Sequence, residues 1–101
     1  MMKSEEIKNV ILCHPKDNVA TAKSPIKRGT LLTLPKGKKV IVKEEIPFGH
    51  KVALQRISAK GPVIKYGERI GRAIRSIGPG EWVHIHNVEG ERGKGKGRKK
   101  G

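Results

Sequence analysis

The chain has 101 residues, with 23 Lys and Arg against 9 Asp and Glu and a formal net charge of +14. This length is typical of one domain and short for an enzyme that encloses its own deep cleft, so a binding module or one subunit of an assembly is expected. The single cysteine excludes a disulfide framework and a paired-cysteine zinc site, and it is typical of a reducing, cytoplasmic setting.

The basic residues fall into two parts of the chain. Residues 90–101, GERGKGKGRKKG, carry a net charge of +5 with nothing apolar, whereas residues 1–89 carry +9. A segment without apolar side chains cannot offset its own ordering entropy, so 90–101 is predicted to be a disordered basic tail and 1–89 the one folded domain. Near the amino end the longest apolar run, Val10–Cys13, is too short for a signal peptide or a membrane span, and neither is expected.

Ile and Val dominate the apolar residues and aromatic residues make up only 3% of the chain, which favours strands over helices. Short β-rich runs separated by Gly and Pro predict strands at Val10–Cys13, Thr30–Leu34, Lys39–Glu44, Lys51–Gln55, Val63–Tyr66, Arg69–Ile74 and Trp82–His86. One short helix is predicted from Asp17 to Ala22, because Asp17 or Asn18 can cap its first turn and Pro25 ends it. The predicted fold class is therefore mainly β.

A short pattern, Ile-x-x-Gly, recurs at Ile26, Ile46 and Ile77, and Ile57-Ser-Ala-Lys-Gly61 is interpreted as the same unit with one residue inserted. An inward Ile followed by a tight turn, with Gly at positive φ, accounts for this pattern. Repeated turns of this kind predict a compact, much-folded β structure with short strands.

The segment Trp82-Val-His-Ile-His86 carries two closely spaced histidines. On a strand, side-chain alternation places Trp82, His84 and His86 on one face, while Val83 and Ile85 enter the other. Two histidines on one face can chelate a divalent metal, or bind an anionic substrate when one is protonated. No acidic third ligand lies at an obvious spacing, so hydrogen-bonded surface histidines remain an alternative.

Two further polar sets stand beside predicted turns. His14 is followed by Asp17 and Asn18, which form a polar cluster or simply cap backbone amides. His50 and Lys51 place a titratable ring beside a cation, although an isolated pair of this kind on a loop is usually solvated. These side chains are candidates for chemistry only in combination with other elements.

Four longer motifs occur in a fixed order: His14-Pro-Lys-Asp17-Asn18-Val-Ala-Thr21-Ala, Ile46-Pro-Phe-Gly-His50-Lys-Val-Ala-Leu, Val63-Ile-Lys-Tyr66-Gly67-Glu-Arg-Ile-Gly71-Arg-Ala and Gly80-Glu-Trp-Val-His84-Ile-His86-Asn87-Val-Glu. Together they resemble the small domain of altronate and galactarate dehydratases, a SAF-type domain with a β-clip fold. The small subunit of sulfolactate sulfo-lyase is similar. The resemblance runs from about Val10 to Glu89 and implies a SAF-like β-clip fold.

The resemblance also implies a function, that of the small subunit of a sugar-acid dehydratase. In this family a much larger part carries most of the catalytic apparatus and is associated with a divalent metal, iron or manganese, and the reaction removes water to give a 2-keto-3-deoxy acid. The expected partners are a separate large catalytic subunit and a sugar acid, and the chain alone is not expected to be active. The matched motifs imply catalytic roles for His84, His86 and His50, and substrate-binding roles for Lys51, His14, Asp17, Asn18 and Asn87.

Two other classes of function remain open at this stage. A basic β-module that binds nucleic acid would lose affinity steeply with salt and with deletion of residues 90–101. A non-catalytic domain that binds carbohydrate or protein is the other, because a fold does not fix a function. The specific sugar acid or sulfonated analogue, the identity of the metal, the residues that would hold it and the oligomeric state are not encoded in any motif of this chain.

Overall fold

Short extended runs build the protein, whose computed structural model describes residues 5–7 and 9–90. The strands are β1 Glu5–Ile7, β2 Val10–Leu12, β3 Val19–Ala22, β4 Leu31–Thr33, β5 Lys39–Ile41, β6 Lys51–Ala53, β7 Pro62–Lys65, β8 Glu68–Ala73, β9 Trp82–Val83 and β10 Val88–Gly90. Within the described residues the one helical segment is a turn of 3-10 helix, Pro35–Gly37. The prediction of a mainly β chain with short strands is confirmed.

The strands pair antiparallel in three small sheets, ordered β1-β2-β3-β6-β9, β10-β8-β7 and β4-β5. In the largest sheet, Lys51 of β6 lies opposite Thr21 of β3 and Val83 of β9. Side-chain alternation sends Val52 into one apolar core and Ala53 into a second. The two cores therefore lie on opposite faces of this sheet, and β6 runs between them.

The four isoleucines of the recurring pattern pair two by two. Ile26 bridges Ile46 and Ile57 bridges Ile77, each pair through two reciprocal N–H···O hydrogen bonds of 2.8–2.9 Å. All four side chains are buried. The first bridge encloses the β4-β5 hairpin and the second encloses the β7-β8 hairpin, so each isoleucine pair closes the base of one hairpin.

Each isoleucine is followed by a turn that ends at positive φ. Three of these turns end on glycine with φ of +81° to +90°, and the fourth ends on Lys60 with φ of +70°. Ile57-Ser-Ala-Lys60 is therefore a complete unit, and the interpretation of an inserted residue before Gly61 is wrong. At Gly80 the small residue is needed for a second reason, because a Cβ there would overlap the carbonyl oxygen of Ile41.

The helix predicted from Asp17 to Ala22 is absent, and Val19–Ala22 forms β3 instead. Asp17 and Asn18 do accept hydrogen bonds from backbone amides, as the capping pattern predicted, but these amides do not belong to a helix that follows them. Asp17 and Asn18 accept hydrogen bonds from amides in or beside β7, far away in sequence, rather than from a first helical turn. Long-range pairing therefore outweighs the local preference for a helix.

The strand predicted over Trp82–His86 is also too long. It ends at Val83, and residues 84–87 form a turn that leads into β10. Ile85, which alternation would place in the core, is 79% exposed. Alternation therefore does not position the two histidines.

The predicted basic tail lies outside the described residues from 91 onward. In the described part of the chain, no helix has the length and apolar character needed to cross a bilayer.

Candidate functional site

Four aromatic rings meet at the start of β6 and the end of β9. They belong to His50, Trp82, His84 and His86 and are called the ring cluster below. His84 stacks nearly parallel on Trp82 with ring centroids 5.6 Å apart, and His50 and His86 lie 5.5 and 5.1 Å from Trp82. His50 and His84 are only 4.4 Å apart. The structure thus brings together the three histidines for which catalytic roles were predicted.

Trp82 is fixed at both its backbone and its indole. Its amide donates to Oε2 of Glu44 at 2.9 Å, and its Nε1–H donates to Nδ1 of His50 at 3.1 Å. Because Nδ1 of His50 accepts this hydrogen bond, the proton of the neutral ring lies on Nε2. His50 is therefore left with one N–H donor.

His84 has the opposite character within the cluster. Burial, together with the positive potentials of His50, His86 and Lys51, lowers the pKa of His84 below its ordinary value of 6.5. The ring is consequently neutral near pH 7, and a neutral imidazole can accept a proton. The ring cluster thus combines a hydrogen donor on His50 with a proton acceptor on His84.

Two lysines, Lys51 of β6 and Lys65 of β7, interact electrostatically and are called the lysine pair, and Lys51 directly follows His50 of the ring cluster. Burial and the positive charge of Lys65 lower the pKa of Lys51 from 10.5. Lys65 is only 8% exposed, and its Nζ lies 3.3 Å from Sγ of Cys13 and 3.8 Å from the centre of the Tyr66 ring. Lys65 lowers the pKa of Lys51, and Lys51 in turn lowers the pKa of His84, so the three groups are linked electrostatically.

Asp17 and Asn18 hold the hairpin formed by β7 and β8. Asp17 accepts hydrogen bonds from the amides of Tyr66 and Gly67 at 3.0 and 2.8 Å. The Asn18 side chain accepts from the amide of Ile64 at 2.8 Å and donates to a carbonyl of β7 at 2.9 Å. Both residues are 7% exposed, so their polar atoms serve the fold in this structure.

Asn87 has a similar place in the turn that carries His84 and His86. Its side chain accepts from the amide of His84 at 2.9 Å and donates to the carbonyl of Trp82 at 2.8 Å. At 2% exposed it is the most buried of the predicted site residues with polar side chains. Asn87 therefore fixes the turn that presents the histidines.

His14 lies apart from the ring cluster. In the β3–β6 pair, Asn18 bonds to Leu54 at one end and Ala22 bonds to His50 at the other, so the two polar sets lie at opposite ends of β6. His14 contacts Gly67 beside the Asn18 end. His14, Asp17 and Asn18 are thus a separate set from His50, His84 and His86.

A cavity of about 370 Å³ lies beside His14 and Asp17. Its other lining residues include the apolar side chains Leu12, Leu34 and Leu54 and the cations Lys36 and Lys38. The cavity belongs to the same end of β6 as Asn18, and the ring cluster does not line it.

The structure adds two residues that were not site candidates in the sequence. Lys65 belongs to the lysine pair, and the Tyr66 ring packs against its ammonium group. Tyr66 has φ of +59° and Gly67 has φ of +72°, so the hairpin turn holds a tyrosine in a left-handed conformation that it rarely adopts. The available signal was the Tyr66-Gly67 pair at the junction of the predicted strands Val63–Tyr66 and Arg69–Ile74.

The described residues do not provide a complete site for the expected iron or manganese. Among them, no three His, Cys, Asp or Glu side chains are grouped so that they would hold a metal ion. The histidines of the ring cluster contact one another and Trp82 instead. A metal in the complete enzyme therefore stays a prediction for groups outside this described part.

Two dehydratases are similar to most of this chain. The chain is 40% identical over 83 residues to altronate dehydratase of Bacillus subtilis strain 168, covering 82% of this chain and 16% of that protein. It is 47% identical over 75 residues to galactarate dehydratase (L-threo-forming) of Escherichia coli K12, covering 72% of this chain and 14% of that protein. The chain thus spans about a sixth of these dehydratases.

The match to a shorter relative includes a larger share of that relative. The chain is 49% identical over 51 residues to (2R)-sulfolactate sulfo-lyase subunit alpha of Chromohalobacter salexigens, which is 50% of this chain and 54% of that subunit. The family model described as altronate/galactarate dehydratase SAF domain matches residues 8–91, which include the ring cluster and the lysine pair. The chain therefore belongs to the altronate/galactarate dehydratase SAF domain family.

Proposed function

We propose that this chain is the small subunit of a sugar-acid hydro-lyase and that it contributes the ring cluster and Lys51 to an active site shared with a separate large subunit. The observation that carries the proposal is the contact of His50 and His84, with ring centroids 4.4 Å apart, beside a half-buried lysine. Family membership and the subunit alpha of sulfo-lyase among the relatives support the shared arrangement. The β-clip description of the fold belongs to the same proposal.

Dehydration beside a carboxylate requires a base for the α-proton, positive charge near the developing enediolate and an acid for the leaving hydroxide. His84, neutral near pH 7, serves as the base. His50 donates a hydrogen bond through Nε2–H to the leaving oxygen, and Lys51 neutralises the carboxylate. The proton that converts the leaving hydroxide to water comes from an acid of the large subunit. His86, next to the Trp82 ring, raises the local positive potential on His84.

Groups of the large subunit complete this site, because a half-buried cluster on a small domain does not enclose a substrate. The divalent metal of the complete enzyme, iron or manganese, is part of the proposal as a group held mainly by that subunit. When bound, such a metal supplies electrophilic stabilisation of the enediolate. His14, Asp17, Asn18 and Asn87 position the elements around the site rather than contacting the substrate.

To test this proposal, the full chain is co-expressed with a candidate large subunit and the complex is assayed with altronate, galactarate and (2R)-sulfolactate. Dehydration of at least one sugar acid is expected, with turnover lowered about 10²- to 10⁴-fold by His84→Gln because a general base is lost. Lys38→Gln, an exposed residue at the other end of β6, is the control and should leave turnover unchanged.

Two outcomes contradict the proposal. Full turnover of the His84→Gln complex would remove the histidine from the chemistry. Activity on (2R)-sulfolactate alone would replace the hydro-lyase with a sulfo-lyase that uses the same surface.

A further inference from the structure

Lys65 is a buried cation whose close contacts in the described part of the chain are a thiol and an aromatic ring. It is 8% exposed, and its two close contacts are the Cys13 thiol and the Tyr66 ring. A ring face attracts a cation, and a thiol is a weak acceptor, but neither carries a full negative charge. Burial of an ammonium group without a counterion is unfavourable, so something else is expected to neutralise it.

The neighbouring charges increase this imbalance. Lys51 lies opposite Thr21 of β3, and Thr21 lies opposite Ile11 of β2, two residues before Cys13, so side-chain alternation places Lys51 on the sheet face that carries the Cys13 contact of Lys65. The charge of Lys65 lowers the pKa of Lys51 on this face. Asp17 touches the same hairpin but directs both carboxylate oxygens to the amides of Tyr66 and Gly67. Glu44, beside the ring cluster, accepts from the amide of Trp82.

The surroundings of Lys65 are also built rather than incidental. Asp17 holds the left-handed Tyr66–Gly67 turn, which keeps the Tyr66 ring over the ammonium group while 62% of the tyrosine stays exposed. Strained backbone of this kind persists where other interactions impose it and is common at functional sites. Cys13 fixes the ammonium group from a second direction.

We propose that Lys65 and Lys51 together bind one carboxylate or sulfonate group of a small anionic substrate, which makes Lys65 a further substrate-binding residue. This inference rests on the proposed function, because the bound group is taken to be the acid group of the sugar acid.

A small oxyanion fits this site better than a nucleic acid does. A buried ammonium group is reached by a compact ligand, whereas a phosphodiester backbone is bound by exposed cations along an open surface. The exposed lysines, such as Lys36 and Lys38, lie at the other end of β6.

The test uses the full chain and NMR of its lysine side chains, with galactarate as the probe. Galactarate is expected to shift the signals of Lys51 and Lys65 saturably, sulfate to compete with it, and neutral galactitol to have no effect. Lys65→Met should weaken galactarate binding about tenfold or more, because a hydrogen bond to a charged group is lost. Lys38→Met, with the same change of charge, should leave the affinity within about twofold.

Stability provides a second readout that a purely structural lysine would fail. Replacing an unpaired buried cation with an apolar chain of similar length is expected to keep or raise the denaturation midpoint. A loss of stability in both Lys65→Met and Lys65→Gln would overturn the inference, as would unchanged galactarate affinity in Lys65→Met or equal weakening in Lys38→Met.

The outcomes also separate this inference from the proposed function. If galactarate binds at the lysine pair but no complex has dehydratase activity, the anion site is supported and the proposed hydro-lyase function is contradicted. An active complex whose KM for the sugar acid is unchanged by Lys65→Met would do the reverse.

Discussion

Two groups of polar residues share the same motifs but differ in what satisfies them. Asp17, Asn18 and Asn87 are at most 7% exposed, and their side chains bond to backbone amides or carbonyls. The ring cluster and the lysine pair contact mainly other side chains, through ring faces, a thiol and one indole N–H. Asp17, Asn18 and Asn87 are therefore called the frame residues, because their short polar side chains stabilise the backbone. The longer titratable side chains remain available to bind a ligand and are called the ligand residues.

The difference shows how one motif can carry two functions. In the last turn, Asn87 closes the backbone while His84 and His86 project from it. Substituting the two kinds of residue should therefore have separable consequences, one for stability and one for binding and turnover.

The largest effect is expected at Asn18. Asn18→Ala removes the part-buried hydrogen bonds that this side chain makes with the amide of Ile64 and a carbonyl of β7. At about 1–2 kcal/mol for each of these two part-buried groups, the free energy of unfolding should fall by about 2–4 kcal/mol, measured by urea denaturation. Thr30→Ala, which removes an exposed side-chain hydrogen bond, is the control and should cost less than about 1 kcal/mol. Equal losses in the two variants would contradict a framework role for Asn18.

A smaller effect is expected within the turn of residues 84–87. Asn87→Ala should lower the free energy of unfolding by about 1–3 kcal/mol, because the amide of His84 loses its acceptor. His86→Ala, in the same turn but exposed, should stay within about 0.5 kcal/mol of the parent chain. If His86→Ala destabilises the chain as much as Asn87→Ala does, the division into frame and ligand residues fails.

The smallest effect concerns the titration of His84. Because its pKa is lowered in the folded chain, the unfolded chain binds more protons just below pH 6.5. The contribution of His84 to stability is therefore fully present above 6.5 and decreases as the pH falls through the window between 6.5 and the folded-state pKa. His84→Gln should remove this component from the pH dependence of the urea midpoint.

NMR titration of the ring protons tests the same electrostatics directly. The midpoint of His84 should lie below 6.5 and move up in Lys51→Met, which removes a neighbouring cation. Lys38→Met should leave the midpoint in place. If the titration midpoint of His84 is unchanged in Lys51→Met, the lysine pair does not act electrostatically on the ring cluster.

The local patterns of the sequence were enough to predict most of the strands and the isoleucine turns, but not β1, β3 or β10. The recurring isoleucines form the two bridges, and the predicted strands overlap the observed ones because β-branched runs and Gly turns act over short distances. The predictions of the fold failed where a residue's hydrogen-bond partners lie far away in sequence. Asp17 bonds to Tyr66 and Gly67 across 49 and 50 residues, which no capping rule anticipates.

The same contrast between local patterns and long-range contacts applies to the candidate site. The proximity of His84 and His86 to Trp82 was predicted, although a turn rather than strand alternation produces it. The place of Lys65 was not predictable, because its contact with Cys13 joins residues 52 positions apart. A lysine in an alternating strand is ordinarily interpreted as exposed, and only tertiary packing buries this one.

The most direct measurement compares His84→Gln and Asn87→Ala for both stability and turnover in the complex with the large subunit. At a temperature where both variants are folded, His84→Gln is predicted to keep the parent's unfolding free energy within about 0.5 kcal/mol and to lose most of its turnover. Asn87→Ala is predicted to show the stability loss that His84→Gln lacks. A His84→Gln complex that is destabilised like Asn87→Ala, or that turns over sugar acid at the parent rate, would contradict the assignment of this surface to the ligand.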